Sequence, residues 1–322
     1  MKRNAIIRIV IWSVVIVLLV GILGTVLVQR NSRGLHRAAQ GKLTEATMSY
    51  ETSPNSTSGT AIEDPMVSTT VPEIAVSSPA KTFPEVEIAW VAGNITVEAA
   101  DVDDIQVFET EVSDSKYVMQ VKRSNKKLTI AFCDEDELDW NFGVRINDII
   151  TKDLTILVPR NWSLGSLEVD AAAAALDVRN LVIREVEFDG ANGACDFENC
   201  VVDQLDLDTA SGDITFTGTL QVLDCDAASA SVRATLDNVP SRIDMDSMSG
   251  DLELTLPDWA GFTLSMDAMS SDFVSDFDTT VRNDSYVCGD GSCRISMDAM
   301  SGDVYIHKNA DAAAVPEATT TP

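Results

Sequence analysis

The chain has 322 residues and a formal charge of −28, from 51 acidic and 23 basic side chains. Nucleic acid is excluded as a partner, because phosphate binding needs a basic patch and the sequence offers none. Six cysteines in a chain of this length permit disulfides without requiring them. Because only 6% of the residues are aromatic, the core must be built mainly from aliphatic side chains and Met.

The first predicted element is a membrane span at residues 9–28. These residues carry no charge, and as a helix they would extend roughly 30 Å, the thickness of a bilayer core. The run is too long for the apolar core of a signal peptide, and no small-residue cleavage site ends it. Basic residues lie on both sides, so charge does not decide the orientation. We expect an uncleaved, single-pass signal anchor in the plasma membrane, with residues 1–8 in the cytoplasm and the large acidic domain outside.

Residues 29–84 form the predicted connection between the span and the folded domain. The stretch 44–82 contains 7 Ser, 8 Thr and 4 Pro and shows no apolar period. Such a segment cannot bury enough surface to offset its chain entropy, so we expect a disordered stalk. Residues 309–322 are predicted to be a disordered tail.

Short runs of alternating apolar and polar residues begin at residue 85, and we interpret 85–160 as a β-meander. A seven-residue phrase, Asp-x-x-Ser-Gly-Asp followed by an apolar residue, then occupies 208–214, 246–252 and 298–304. Aligned on its first Asp, the pattern occurs seven times, with gaps of 19, 19, 18, 20, 21 and 31 residues. The aligned residues are Asp170, Asp189, Asp208, Asp226, Asp246, Asp267 and Asp298.

Apolar residues stand one and three positions before each of these Asp residues, and again six positions after it. Alternation that repeats at a fixed period is typical of stacked strands. We therefore predict an all-β domain over 85–308, a β-solenoid of coils of about 19 residues that follows the meander. A flat β-sandwich is the alternative. The Ser-Gly pair predicts a bend. In the last three copies of the phrase the third position is occupied by Met248, Met269 and Met300, whose side chains could face the core or the solvent.

The alignment places carboxylates at one corner of successive coils, where like charges repel. Each Asp could accept backbone N–H bonds at its own turn, or Ca²⁺ could bind between adjacent coils. No cofactor other than calcium is expected. The candidate ligands are Asp208, Asp213, Asp246, Asp251, Asp267, Asp272, Asp298 and Asp303.

Cys288 and Cys293 flank a predicted hairpin with Gly-Asp-Gly at its tip, and a disulfide could join them. Cys195 and Cys225 fall two coils apart, roughly 10 Å, which is too far for a disulfide. Only His36 and His307 are available for catalysis or zinc binding, so a catalytic triad and a His-based zinc site are not expected. No Gly-rich phosphate loop precedes a helix.

The residues Ile88-Ala89-Trp90-Val91-Ala92-Gly93-Asn94-Ile95, the strand 152–159 and the repeated Ser-Gly-Asp phrase together resemble the bacterial "putative adhesin" domain family. The resemblance covers about 85–308 and implies a β-helix-like fold outside the cytoplasmic membrane. It brings no known catalytic residues.

The sequence favours a membrane-anchored, extracytoplasmic, non-catalytic protein that binds or adheres at the cell envelope. Its expected partners are the lipid bilayer, through residues 9–28, and an envelope polymer or protein. One alternative is an envelope-stress sensor or regulator that acts through a membrane partner. The other is a calcium-dependent polysaccharide lyase or hydrolase, which would need carboxylates combined with a base.

Overall fold

The computed structural model of the protein describes residues 84–110, 117–124, 126–134 and 151–309. Within these ranges no helix is long and apolar enough to cross a membrane. The predicted span at 9–28 lies outside them, as do residues 29–83 of the connection and residues 310–322 of the tail. The described residues form eighteen strands: β1 (Glu85–Ala100), β2 (Gln106–Glu109), β3 (Gln120–Arg123), β4 (Lys127–Ala131), β5 (Leu154–Pro159), β6 (Ser163–Arg179), β7 (Val182–Gly190), β8 (Cys195–Ser211), β9 (Ile214–Ser229), β10 (Val232–Leu236), β11 (Arg242–Ser249), β12 (Leu252–Pro257), β13 (Phe262–Ser270), β14 (Phe273–Ser275), β15 (Thr280–Arg282), β16 (Ser285–Cys288), β17 (Cys293–Ser301) and β18 (Val304–Asn309).

Each coil has two limbs, joined at the bend of the repeated phrase. A single long strand supplies both limbs in β1 and in β6, whereas other coils use two strands, such as β11 and β12. Neighbouring coils pair in parallel and in register, so that each position of the phrase forms a column. This arrangement confirms the all-β, solenoid-like fold predicted from the 19-residue period.

The coils do not stack in chain order at either end. At the C-terminal end, β17 and β18 lie between the β11–β12 coil and the β13–β14 coil. Asp298 therefore pairs with both Asp246 and Asp267. The last coil in sequence is the next-to-last in space, because the chain makes the outermost coil first and then returns.

The same inversion occurs at the N-terminal end, and it corrects the prediction of a separate β-meander over 85–160. β1 lies between β6 on one side and β4 with β5 on the other, and all of these pairs are parallel. Among the residues of this segment that the structure describes, only β2 and β3 are antiparallel additions, on β5 and β4 respectively. Most of the segment therefore belongs to the solenoid, which begins at residue 85.

The core is formed by the apolar columns that the repeat predicted. Leu205, Leu207 and Ile214, which represent the three columns in one coil, are each at most 2% exposed. Burying one such side chain contributes roughly 1.5–3 kcal/mol. In the outermost β13–β14 coil, however, Met266 and Phe273 are only partly buried, because no further coil of the described chain covers them.

The Gly of the phrase is required by the close approach of backbones at the bend. Gly250 has a φ of +147°, and a Cβ at this position would lie 1.7 Å from the carbonyl oxygen of Ala230 in the preceding coil. Gly302 repeats the geometry one coil further on, facing the carbonyl of Gly250. The Ser-Gly pair therefore makes the bend that the sequence predicted.

Candidate functional site

The first feature of the surface is a column of seven aspartates, here called the Asp column. Its members pair in register across seven successive coils, and a strand spacing of about 4.8 Å separates neighbours. At the N-terminal end the column continues as Ala89 and Ala131, which carry no charge. In spatial order the Asp column is Asp170, Asp189, Asp208, Asp226, Asp246, Asp298 and Asp267.

A second acidic column runs beside the first, two residues earlier on the same outward side of each strand. It consists of six carboxylates in register, followed by Ser296 and Ser265. We call the two columns together the acidic face. The second column is Glu87, Glu168, Glu187, Asp206, Asp224 and Asp244.

The electrostatics of the acidic face reflect this crowding. Partial burial and then the neighbouring carboxylates, Asp298 first, raise the pKa of Asp246 to about 6. The same two causes raise the pKa values of Asp208, Asp226 and Asp298. Arg242 offsets part of the repulsion through ion pairs with Asp224 and Asp244. The middle of the face therefore carries negative charge that a bound cation would stabilise.

An apolar column borders the acidic face at the third position of the phrase. Met248 and Met300 are 38% and 37% exposed, and Met269 is 64% exposed. In the coil order of the structure these three residues lie on consecutive coils. The question that the sequence left open is therefore answered: this column faces the solvent, and the small second-position residues, such as Ala227 and Ala299, are buried.

A third polar column, at the second Asp of the phrase, has a structural role. Its side chains accept the backbone N–H of the corresponding residue in the next coil, except that of Asp272 in the last coil. Asp251 Oδ1 accepts from Asp303 at 2.9 Å, and Asp303 Oδ1 accepts from Asp272 at 2.8 Å. At the N-terminal end, Asp153 does the same for Asn94. We call this column the amide ladder; its other members are Asp213 and Ser231.

The eight predicted calcium ligands are thus divided between two columns on either side of the bend. Asp208, Asp246, Asp267 and Asp298 belong to the Asp column, while Asp213, Asp251, Asp272 and Asp303 belong to the amide ladder. Among the residues that the structure describes, no three His, Cys, Asp or Glu side chains form a metal-binding group. Calcium binding along the Asp column stays a prediction.

The predicted disulfide between Cys288 and Cys293 is not formed, because the chain follows a different path from the one expected. Cys288 in β16 and Cys293 in β17 pair with Phe262 from opposite sides of β13. Two strand spacings separate them, roughly 10 Å, and both thiols are free and buried. The hairpin is instead β15–β16, whose turn residues Asn283 and Asp284 have positive φ, as two-residue hairpin turns require.

The N-terminal end of the solenoid contains a buried lysine whose role the sequence did not reveal. The Lys152 side chain is 0% exposed and forms an ion pair with Glu109. Its Nζ also donates to the carbonyl oxygens of Tyr117 and Phe132, and it lies 4.7 Å from the ring centre of Trp90. Burial lowers the pKa of Lys152, although Glu109 opposes the shift. The only sequence signal was a Lys-Asp pair placed directly before an apolar strand.

The C-terminal end is more open. A cleft of about 290 Å³ lies there, lined by Met266, Ser271, Phe273, Val281, Asp284 and Tyr286. The centres of the Phe273 and Tyr286 rings are 4.5 Å apart. Met269, Val274 and Val281 expose half or more of their surface at this end.

The family comparison agrees with this architecture. The model of the Toastrack family, DUF4097, matches residues 83–220 and again residues 160–307. No curated protein matches the chain.

Three solved structures are similar to the chain, each covered over 94% of its length. One is a "putative cell adhesion protein" from Clostridium sporogenes, with 10% sequence identity, 71% coverage of this chain and a TM-score of 0.36. Another is a "putative adhesin" from Bacteroides fragilis, with 13% identity, 71% coverage and a TM-score of 0.39. The third is a "putative adhesin" from Parabacteroides distasonis, with 15% identity, 70% coverage and a TM-score of 0.38. The family match confirms the resemblance drawn from the Ser-Gly-Asp phrase. The chain belongs to the Toastrack DUF4097 family.

Proposed function

We propose that the chain is a membrane-tethered, non-catalytic binding protein of the cell envelope whose acidic face holds cationic polymers or the basic segments of envelope proteins. The observation that carries the proposal is the pair of acidic columns, with raised pKa values at Asp208, Asp226, Asp246 and Asp298. Repulsion among these carboxylates is relieved when a multivalent cation lies along them, since a surface of one charge sign attracts its counter-ion strongly.

The geometry favours a polymer over a compact ligand. Thirteen carboxylates repeat at the strand spacing of about 4.8 Å, so an extended chain with regularly spaced positive charges can contact many of them at once. The bordering apolar column, which ends in Met248, Met300 and Met269, adds a contact surface for the uncharged parts of such a chain. The span at 9–28 and the stalk that follows it would place this face outside the membrane.

Binding can be measured with the full-length chain in nanodiscs and a fluorescent oligolysine of about ten residues at about 50 mM salt. The triple variant Asp208→Asn, Asp226→Asn and Asp246→Asn should weaken binding by about tenfold, since each exposed ion pair is worth roughly 0.2–1 kcal/mol. The matched control is Asp203→Asn, Asp237→Asn and Asp258→Asn, which removes three exposed charges outside both columns. Equal weakening by the two triple variants would refute a specific role for the face.

The tether has its own test. A cysteine placed in the stalk at Ser56 should react with a membrane-impermeant maleimide on intact cells. The background should be low, because all six native cysteines are buried. Labelling that occurs only after lysis would contradict the outside location.

A further inference from the structure

The last coil of the solenoid has an incomplete edge. β16 covers β13 only over Phe262–Ser265. Within the described residues, no strand pairs with the outer side of Met266–Ser270 or with the outer side of β14. Parallel pairing leaves alternate backbone groups of such a segment without a strand partner. The half of the coil that contains the bend is therefore an open template for one more strand.

The last side chain of the amide ladder at this end, that of Asp272, has no further described coil from which to accept an N–H. In the preceding coils each ladder side chain accepts the N–H of the next coil, as Asp303 does from Asp272. Among the described residues, no group donates to the carboxylate of Asp272. The residue after each ladder position donates its N–H to the next coil, as Val304 does to the carbonyl of Asp272 at 3.0 Å. Phe273 holds this position in the last coil, so its N–H faces the open side.

The cleft lies beside this edge and is suited to an apolar side chain. Its volume of about 290 Å³ is at the lower limit of small-molecule pockets, roughly 300–1,000 Å³. Its apolar walls are the partly buried core residues Met266 and Phe273, together with Tyr286 and Val281. Ser271 and Asp284 add polar groups to the lining. One large apolar side chain from an added strand would cover these core residues as an inner coil does elsewhere.

The charge around the edge identifies the occupant. Between residues 265 and 284 the chain carries five Asp and one Arg, and Asp267, Asp272 and Asp284 are exposed. A second copy would bring the same acidic end against itself, which like charges disfavour. A segment with basic residues is complementary.

We propose that the open C-terminal end binds an extended segment of a partner protein, which pairs parallel to β14, places a large apolar side chain in the cleft and carries Lys or Arg at its ends. This is strand addition: backbone hydrogen bonds supply affinity, and the pocket supplies specificity. The site is separate from the acidic face and does not depend on the function proposed for it.

The probe is a fluorescein-labelled peptide of about nine residues, in which valine and threonine alternate, with a central phenylalanine and a lysine at each end. Anisotropy is measured with the full-length chain in nanodiscs. We expect Val281→Lys to weaken binding by about tenfold, as the loss of a pocket contact does at other interfaces. Val118→Lys, the same change at an exposed Val in the opposite end region, should leave binding unchanged.

The ladder is tested at Asp272. Asp272→Ala should weaken binding by about fivefold, the value of one hydrogen bond, and Asp272→Asn should retain most of the affinity because it keeps the acceptor oxygen. Hydrogen exchange should show new protection at residues 270–275. The triple Asn variant of the Asp column should bind the peptide like the unmodified chain, which separates this site from the acidic face.

Three results would overturn the proposal. One is equal binding by the unmodified chain and the Val281→Lys variant. Another is equal affinity for a peptide with glutamate in place of both lysines. The third is concentration-dependent dimerisation that Val281→Lys abolishes, which would make a second copy the occupant.

Discussion

At the N-terminal end of the solenoid, β2 and β3 cover the outer edges of β5 and β4, whereas at the C-terminal end β16 covers less than half of the last coil. The first end buries a charged side chain, Lys152, under Trp90 and Phe132. The second exposes apolar side chains such as Val281. A solenoid needs a cap wherever its stack stops, so an end that keeps both an open edge and a cleft is free to pair with another chain.

The largest effect is expected at the closed end. Lys152→Met should lower the free energy of unfolding by about 3–5 kcal/mol, because it leaves Glu109 and two carbonyl groups without their buried partner. Denaturant titration measures the change. The control is Lys127→Met, which breaks a partly exposed ion pair with Glu87 and should cost at most about 1 kcal/mol. Equal costs would mean that Lys152 does not hold the cap together.

A matched pair of glycine substitutions compares the two ends directly. Gly93→Ala and Gly302→Ala each place a Cβ about 2 Å from a carbonyl oxygen, that of Lys152 and that of Gly250 respectively. Each should cost about 1–3 kcal/mol from backbone strain. Gly93→Ala should cost more, because it also displaces the backbone of Lys152. Gly165→Ala, at a strand position without positive φ, is the control, and a larger loss for Gly302→Ala would reverse the expected ranking.

The pH dependence of folding stability should originate mainly in the middle and C-terminal coils, where the Asp column lies. The pKa of Asp246 is about 6 in the folded chain, above the ordinary value of an Asp. The folded state therefore binds more protons than the unfolded state between these two values, so stability falls as pH rises through this window. The Tm should be higher at about pH 5 than at about pH 7.5, and Asp246→Asn should reduce the difference.

Hydrogen exchange would locate this effect along the stack. Acidification should increase protection in β9, β11 and β17, and leave β1 unchanged, since Ala89 occupies the column there. A uniform change along the stack would contradict the local origin.

The smallest effect is expected from exposed apolar residues at the open end. Val281→Thr should change the free energy of unfolding by no more than about 0.5 kcal/mol, as surface substitutions usually do. It should nevertheless reduce the fluorescence of a dye that binds exposed apolar surface. Val118→Thr, which is matched in type and lies outside the cleft, should reduce the dye signal less.

The sequence predicted the period, the three apolar columns, the bend and the Asp column, because each depends on local alternation that repeats. It did not predict the stacking order. The copies that begin at Asp267 and Asp298 have the same apolar pattern, so either could follow Asp246. The cap at Lys152 was missed for a related reason: its partners Glu109 and Phe132 are distant in sequence and belong to no repeat.

The misplaced hairpin has a different cause. Both the Asn-Asp pair at 283–284 and the Gly-Asp-Gly run at 289–291 are turn signals. In the structure the Gly-Asp-Gly run packs against Gly261, which lies so close to Asp290 that a Cβ would overlap its carboxylate. The Gly-Asp-Gly run is thus a crossing over the end of β13 that joins β16 to β17, and this contact has no signature in the local sequence.

The inverted stacking at the two ends also has a mechanical consequence. A force applied at residue 84 acts on β1, which is held along one edge by β6 and along the other by β4 and β5. A force applied beyond Asn309 acts on β18, which lies between β12 and β14. Neither strand is the outermost of its stack, so pulling cannot peel the coils away one at a time from an end. Extraction of either strand breaks hydrogen bonds to a coil on each side, for β18 over Val304–Ile306.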